Sequence, residues 1–123
     1  MLIRDIADCF HERVIDRSLL CELLHPDNVA GAGALGCSVA HAILPAGEAT
    51  LPHIMKQSTE LYYLLEGNGE MHIEQETAEV HAGQLVLIPP GARQFIRNTG
   101  HGNLVFLCIV APKWQADDEL LTG

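Results

Sequence analysis

Two stretches decide how this chain is read. The first is Gly47-Glu-Ala-Thr-Leu-Pro-His53-Ile-Met55-Lys-Gln-Ser-Thr-Glu60-Leu-Tyr-Tyr-Leu-Leu-Glu-Gly67, and the second is Gly83-Gln-Leu-Val-Leu-Ile-Pro89-Pro-Gly91-Ala-Arg-Gln94-Phe-Ile-Arg-Asn98. His53 and Met55 stand two residues apart, so on an extended segment both side chains face one cavity. Glu60 follows a short polar turn and can return to that cavity. The Pro89-Pro90-Gly91 turn places Gln94, which can complete the group from another strand.

Outward from these stretches, the chain from Ser18 onward is a series of short apolar or alternating runs separated by Gly, Pro and Asn. The expected strands are Leu19 to Leu24, Gly36 to Leu44, Glu60 to Glu66, Gly69 to Glu74, Thr77 to His81, Leu85 to Ile88, Gln94 to Asn98 and Leu104 to Ala111. Eight short strands with little helix imply a sandwich or barrel. The turns fall at Pro45-Ala46-Gly47, Glu66-Gly67-Asn68-Gly69, His81-Ala82-Gly83 and Pro89-Pro90-Gly91, where the chain needs fixed or positive φ. Residues Ile3 to Arg17 mix helical periodicity with scattered charges and stay unassigned. The small-residue segment Val29 to Gly36 is read as a loop bordering the pocket mouth. The tail from Lys113 to Gly123 either forms a short amphipathic turn over the barrel or hangs free.

The two stretches resemble the paired motifs of the cupin family. The first motif is Gly, five residues, His-x-His, three or four residues, Glu, six residues, Gly; the second is Gly, five residues, Pro-x-Gly, two residues, His, three residues, Asn. All spacings fit, with Met55 in place of the second histidine and Gln94 in place of the histidine of the second motif. The resemblance implies an all-β, double-stranded β-helix (jelly-roll) barrel as one domain over 1–123. Its core would span about 19–111, flanked by an N-terminal segment 1–18 and a C-terminal tail 112–123. It also proposes His53, Met55, Glu60 and Gln94 as the pocket-lining set around one divalent metal ion.

A thioether and an amide oxygen are weaker, neutral ligands than two imidazoles. His53, Glu60 and Gln94 suit zinc, manganese or iron, whereas Met55 with a nearby Cys108 favours copper, the poorer fit. The competing reading is a barrel without a strong metal site, in which Met55 packs the interior and Gln94 hydrogen-bonds Glu60.

His41 and Tyr62 are the candidates for proton transfer. If His41 faces inward it lies near His53, where an imidazole titrates usefully near neutral pH; otherwise it is a hydrogen-bonded core or rim residue. Tyr62 shares parity with Glu60 and so points inward, either to orient substrate or simply to pack. His11, His25, His72, His81 and His101 are read as surface residues. Arg93 and Arg97 are either anion contacts or solvated strand-end residues. Cys9, Cys21, Cys37 and Cys108 show no CxxC spacing and are expected to be reduced thiols, two of them within apolar runs.

Composition narrows the rest. The 123 residues, 48% of them hydrophobic, can bury roughly two thirds of the unfolded surface, enough for one core. A net charge of −9 repels phosphate backbones and anionic headgroups, so neither nucleic acid nor membrane is an expected partner. No apolar run reaches the length of a membrane span and the first residues turn charged at once, which points to a cytoplasmic protein. The expected partners are a small-molecule ligand and a second copy of the chain, paired through Leu19 to Leu24 and Leu104 to Ile109. The function expected is a metal-dependent enzyme on a small oxygenated metabolite, of isomerase, dioxygenase or lyase type. The alternative is a non-catalytic small-molecule binding or sensing barrel.

Overall fold

The computed structural model describes residues 1–123. Eleven strands form: β1 (Glu12–Arg13), β2 (Leu19–Leu24), β3 (Ser38–Leu44), β4 (His53–Met55), β5 (Thr59–Glu66), β6 (Asn68–Ile73), β7 (Glu76–His81), β8 (Leu85–Ile88), β9 (Gln94–Asn98), β10 (Leu104–Ala111) and β11 (Glu119–Leu121). The remaining regular structure is three single 3₁₀ turns, at Ile6–Asp8, Pro26–Asn28 and Ala116–Asp118. No helix is long and apolar enough to cross a membrane.

The strands pair antiparallel in two sheets, one ordered β1-β2-β3-β10-β5-β8 and the other β11-β4-β9-β6-β7. Alternation sends Ala42 and Leu44 of β3, Tyr62 and Leu64 of β5, Ile96 of β9, and Leu104 and Phe106 of β10 into one apolar core. The all-β double-stranded barrel expected from the motifs is what forms.

Two motif positions serve the frame. Gly67 has φ +89°, and a Cβ there would lie 2.5 Å from the carbonyl oxygen of Asn103, so both conformation and space demand glycine. Buried Asn98 donates through Nδ2 to the carbonyls of Leu44 and Gly102 and accepts at Oδ1 from the Gly100 amide. One side chain thereby ties the end of β3 to the β9–β10 turn.

Several expectations are corrected. Both end segments enter the sheets: β1 edges one, and β11 pairs with β4 in the other. The tail does not hang free: it makes one 3₁₀ turn, Ala116–Asp118, and continues into β11. Buried Asp118 accepts from the amides of Gln57 and Ser58, locking the tail onto the turn after β4. β10 is paired on both sides, so of the two expected dimer strands it offers no free edge; β2 is paired with β1 only at Leu19 and Leu20, and β8 ends the six-stranded sheet. Cys9 and Cys21 are joined as a disulfide, with Cα atoms 5.8 Å apart, because the N-terminal segment folds back across β2. Cys37 and Cys108 are free. His25 is buried and donates through Nε2 to the carbonyl of Trp114 at 2.7 Å.

Candidate functional site

A cavity of about 650 Å³ is lined by the N-terminal segment, by β2, β3, β4, β5 and β10, and by the C-terminal tail. Its walls are mainly apolar, with Val14, Leu20, Val39, Val110 and Trp114 among them, and its polar lining is almost wholly acidic: Glu12, Asp16, Glu22, Glu60 and Glu119. The only ring nitrogens in the lining besides the Trp114 indole belong to His53, and no Lys or Arg lines it.

His53, on β4, is 2% exposed. Its Nδ1 lies 2.7 Å from the carbonyl of Leu51. A carbonyl only accepts, so Nδ1 carries a hydrogen and Nε2 is the ring atom turned toward the cavity. The Leu51 amide in turn donates to the backbone carbonyl of Asp16 at 2.8 Å, joining the β1–β2 loop to the histidine strand.

Two carboxylates face Nε2. Asp16 Oδ2 is 3.9 Å away and Glu119 Oε2 4.0 Å away, too far for hydrogen bonds. The other oxygen of each is already engaged. Asp16 Oδ1 accepts from the amide and hydroxyl of Ser18, and Glu119 Oε1 accepts from Trp114 Nε1 at 2.9 Å. Three ligand atoms, one each from Asp16, His53 and Glu119, thus lie within 4.8 Å of one another. Metal–ligand bonds of about 2.0–2.2 Å put ligand atoms roughly 3–4 Å apart, so the set is slightly open around a divalent ion. Each ligand's second polar atom is anchored, the arrangement that orients ligands in metal sites.

Glu60 projects beside this group from β5. Burial pushes its carboxyl up to about 8; the hydrogen bond from Gln94 opposes that shift, and the charges of Glu119 and Asp16 add to it. Burial likewise raises Glu119, against the hydrogen bond from Trp114 and the attraction of His53. Burial and like charge thus disfavour the ionised forms of Glu60 and Glu119, and a cation bound beside them would favour those forms. Gln94, fully buried, sits opposite His53 in the β4–β9 pairing and donates to Glu60 Oε1 at 2.8 Å. Its own Oε1 has no partner.

The four motif positions therefore part company. His53 and Glu60 line the cavity, Gln94 backs Glu60, and Met55 is buried next to them without lining it. Tyr62 packs at 4.6 Å between ring centroids on Phe106 inside the core, and it too does not line the cavity. His41 does not line the cavity that His53 enters. Ala42 of β3 packs into the apolar core, whereas the neighbouring His41 is covered from the other face of the sheet by the N-terminal segment, where its Nδ1 lies 2.8 Å from His11 Nε2. The loop Val29 to Gly36 contributes nothing to the lining, and Arg93 and Arg97 stand clear of it. Asp16 and Glu119 were missed because neither lies in a motif; only the acidic character of the tail hinted at the second.

The cupin-domain family model matches residues 40–110, more than half of the chain and inclusive of His53, Glu60 and Gln94. The chain belongs to the cupin family. This cupin is 40% identical over 103 residues to an uncharacterized protein of Methanocaldococcus jannaschii, covering 84% of this chain and 80% of that one. It is 31% identical over 67 residues to an oxalate-binding protein of Thermotoga maritima, covering 54% and 55% respectively. Among solved structures, a predicted oxalate decarboxylase from Thermotoga maritima superposes with a TM-score of 0.80 at 23% identity, covering 90% of this chain and 99% of that one. A nucleoside dehydratase from Streptomyces superposes at 0.77 with 17% identity, covering 99% and 91%. At these identities the two structures establish the shared barrel.

Proposed function

We propose that this cupin is a metal-dependent enzyme on a small, uncharged, oxygenated metabolite, with Asp16, His53 and Glu119 holding one divalent ion and Glu60 moving the proton. The observation that carries the reading is the convergence of three anchored ligand atoms on the cavity wall. Two carboxylates and one imidazole form a harder set than the family's three histidines and a glutamate, and suit manganese, iron or zinc better than copper. When bound, the ion would polarise a carbonyl or hold a hydroxyl of the substrate.

Glu60, buried beside that position with its carboxyl pushed up to about 8, is the group best placed to give or take a proton. His41 and Tyr62 do not line the cavity, which argues against either in that role. Substrate charge follows from the lining: five acidic residues and no cationic side chain disfavour a free anion, so a dicarboxylate such as oxalate would gain only from the ion. A neutral polyol or nucleoside fits the apolar walls better. The nucleoside dehydratase and oxalate decarboxylase neighbours keep both classes in the test.

Elemental analysis of tag-free protein beside His53→Ala is the first experiment. One equivalent of a transition metal that is lost in a folded variant supports the reading. Metal-free protein that cannot be reconstituted, yet is thermally stabilised by a small molecule, would favour the alternative of a ligand-binding barrel.

We infer a homodimer as well, formed on the outer face of the six-stranded sheet, where Tyr63, Leu65, Leu85 and Leu87 stand exposed around the free β8 edge. Sedimentation should give twice the chain mass, reverting to monomer in Leu85→Lys/Leu87→Lys. A monomeric wild-type protein at micromolar concentration would exclude it.

A further inference from the structure

Behind one wall of the cavity, the same three segments present a second set of side chains. Phe10 and Glu12 line the cavity, so their neighbours Cys9 and His11 face the other way along this extended stretch. Leu20 and Glu22 line it from β2, and Cys21 between them faces out. Ala40 lines it from β3, and His41 faces out. Cys21 and His41 are direct cross-strand partners. His11 Nε2 lies 2.8 Å from His41 Nδ1, and the ligand atoms of His11, Cys21 and His41 all lie within 4.8 Å of one another. Cys9 joins the group through its bond to Cys21.

Two imidazole nitrogens and the Cys21 sulfur therefore meet at one point on the outer face of the sheet, with the Cys9 sulfur bonded to that of Cys21. Cys21 and His41 are buried, while Cys9 and His11 are half-buried, so the point is rigid on the barrel side and reachable from solvent on the other. None of the four lines the cavity or serves its metal group.

We propose that Cys9, His11, Cys21 and His41 form a second transition-metal site, of Cys₂His₂ type, that fills when the Cys9–Cys21 disulfide is reduced. Reduction by a dithiol delivers two electrons and two protons: the S–S bond breaks, two thiols form, and the dithiol becomes a disulfide. Zinc then displaces both thiol protons. Two thiolates neutralise the ion's charge, and two neutral imidazoles complete a tetrahedron. With Zn–S near 2.3 Å and Zn–N near 2.0–2.1 Å, the donor atoms of a tetrahedral site stand roughly 3.3–3.8 Å apart. The ligand atoms of His11, Cys21 and His41 lie within 4.8 Å of one another, so they need only a small closure to reach that scale. The sulfurs separate by movement of Cys9, which lies outside any strand, and the ion replaces the His11–His41 hydrogen bond.

Thiolate and imidazole donors make this site softer than the acidic group inside the barrel, so the two sites sort metals differently. In either form, disulfide or metal, the cross-link pins the segment that leads to Asp16 against β2 and β3.

Cobalt(II) titration of the full-length protein, with its disulfide opened by a non-chelating phosphine, tests the site. One equivalent should bind with thiolate-to-cobalt charge-transfer absorption in the near ultraviolet and intense tetrahedral bands in the visible. Both signals should persist in His53→Ala, be absent from the oxidised protein, and be abolished in Cys9→Ser and Cys21→Ser. His11→Ala should weaken cobalt binding by roughly 100-fold or more. Reduced wild-type protein without charge-transfer absorption overturns the proposal, as does absorption undiminished in Cys9→Ser, which would trace it to Cys37 or Cys108. Cys9 is half-buried and outside the strands, so its variant keeps the test valid if Cys21→Ser does not fold. The carboxylate-rich centre gives no thiolate band, so its failure leaves this result untouched.

Discussion

The cavity draws its polar groups from two unlike regions of the chain. The motif strands β4 and β5 contribute His53 and Glu60, buried residues held by sheet register, with Gln94 of β9 behind Glu60. The end segments contribute Asp16 and Glu119, carried on a loop and a tail that reach the site through backbone bridges: Leu51 to Asp16, and Lys56 to Asp118. Met55 and Gln94 stand where the family pattern has imidazoles, and the carboxylates from the ends lie where an ion would need ligands. In the proposed centre, exchanging two neutral nitrogen ligands for two anionic oxygens would harden the site and concentrate negative charge.

The comparison can be broken most directly at its centre. His53→Ala should abolish metal binding in the cavity while leaving the melting temperature within a few degrees of wild type, read by elemental analysis and calorimetry; metal retained at full stoichiometry would remove the centre altogether. Next in size, Asp16→Asn and Glu119→Gln should each weaken metal affinity roughly 10- to 100-fold by competition with a chelator. If Gln94→Ala does so and the carboxylate variants do not, the motif strands alone hold the ion.

The pH dependence sharpens the electrostatic side of the contrast. In metal-free protein the Glu60 carboxyl is raised to about 8 from an ordinary value of 4.5. The folded state thus holds a proton that the unfolded state releases, and its stabilising contribution, complete below the ordinary value, is lost as pH rises through about 8. Thermal melts should show stability falling between those limits by about 5 °C or more, with Glu60→Gln flattening this slope; a slope unchanged in that variant would assign it elsewhere. The smallest effect belongs to the packed position. Met55→Leu, a swap of similar volume, should cost less than about 1.5 kcal/mol of stability and leave metal affinity unchanged; a large drop in affinity would make the thioether a ligand.

Much of the frame was legible in the residues. The bounds of β2, β8, β9 and β10 follow from apolar runs closed by turn residues, and Gly67 and Asn98 occupy the positions that the β5–β6 and β9–β10 turns require. Strand β4 was anticipated only through the His53 and Met55 parity, and β1 and β11 were not read at all. Strands this short carry too few residues for a period of two to show. Register also lies beyond local pattern: His41 sits in a run of small apolar residues with no clear alternation, so nothing local assigns it to the outer face.

By itself, then, the sequence determined the barrel, its one core and the presence of His53 and Glu60 in a shared pocket, because closely spaced motif residues on paired strands meet wherever the strands meet. The tertiary structure decided which distant groups joined them. Asp16 is 37 residues before His53 and Glu119 is 66 after it, and Cys9, His11, Cys21 and His41 come from three separate segments. Their meeting depends on how the ends fold back over the sheets, through bonds such as Asp118 to Gln57 and Ser58. Such long-range closure is set by the packing of the whole chain, and no local spacing encodes it.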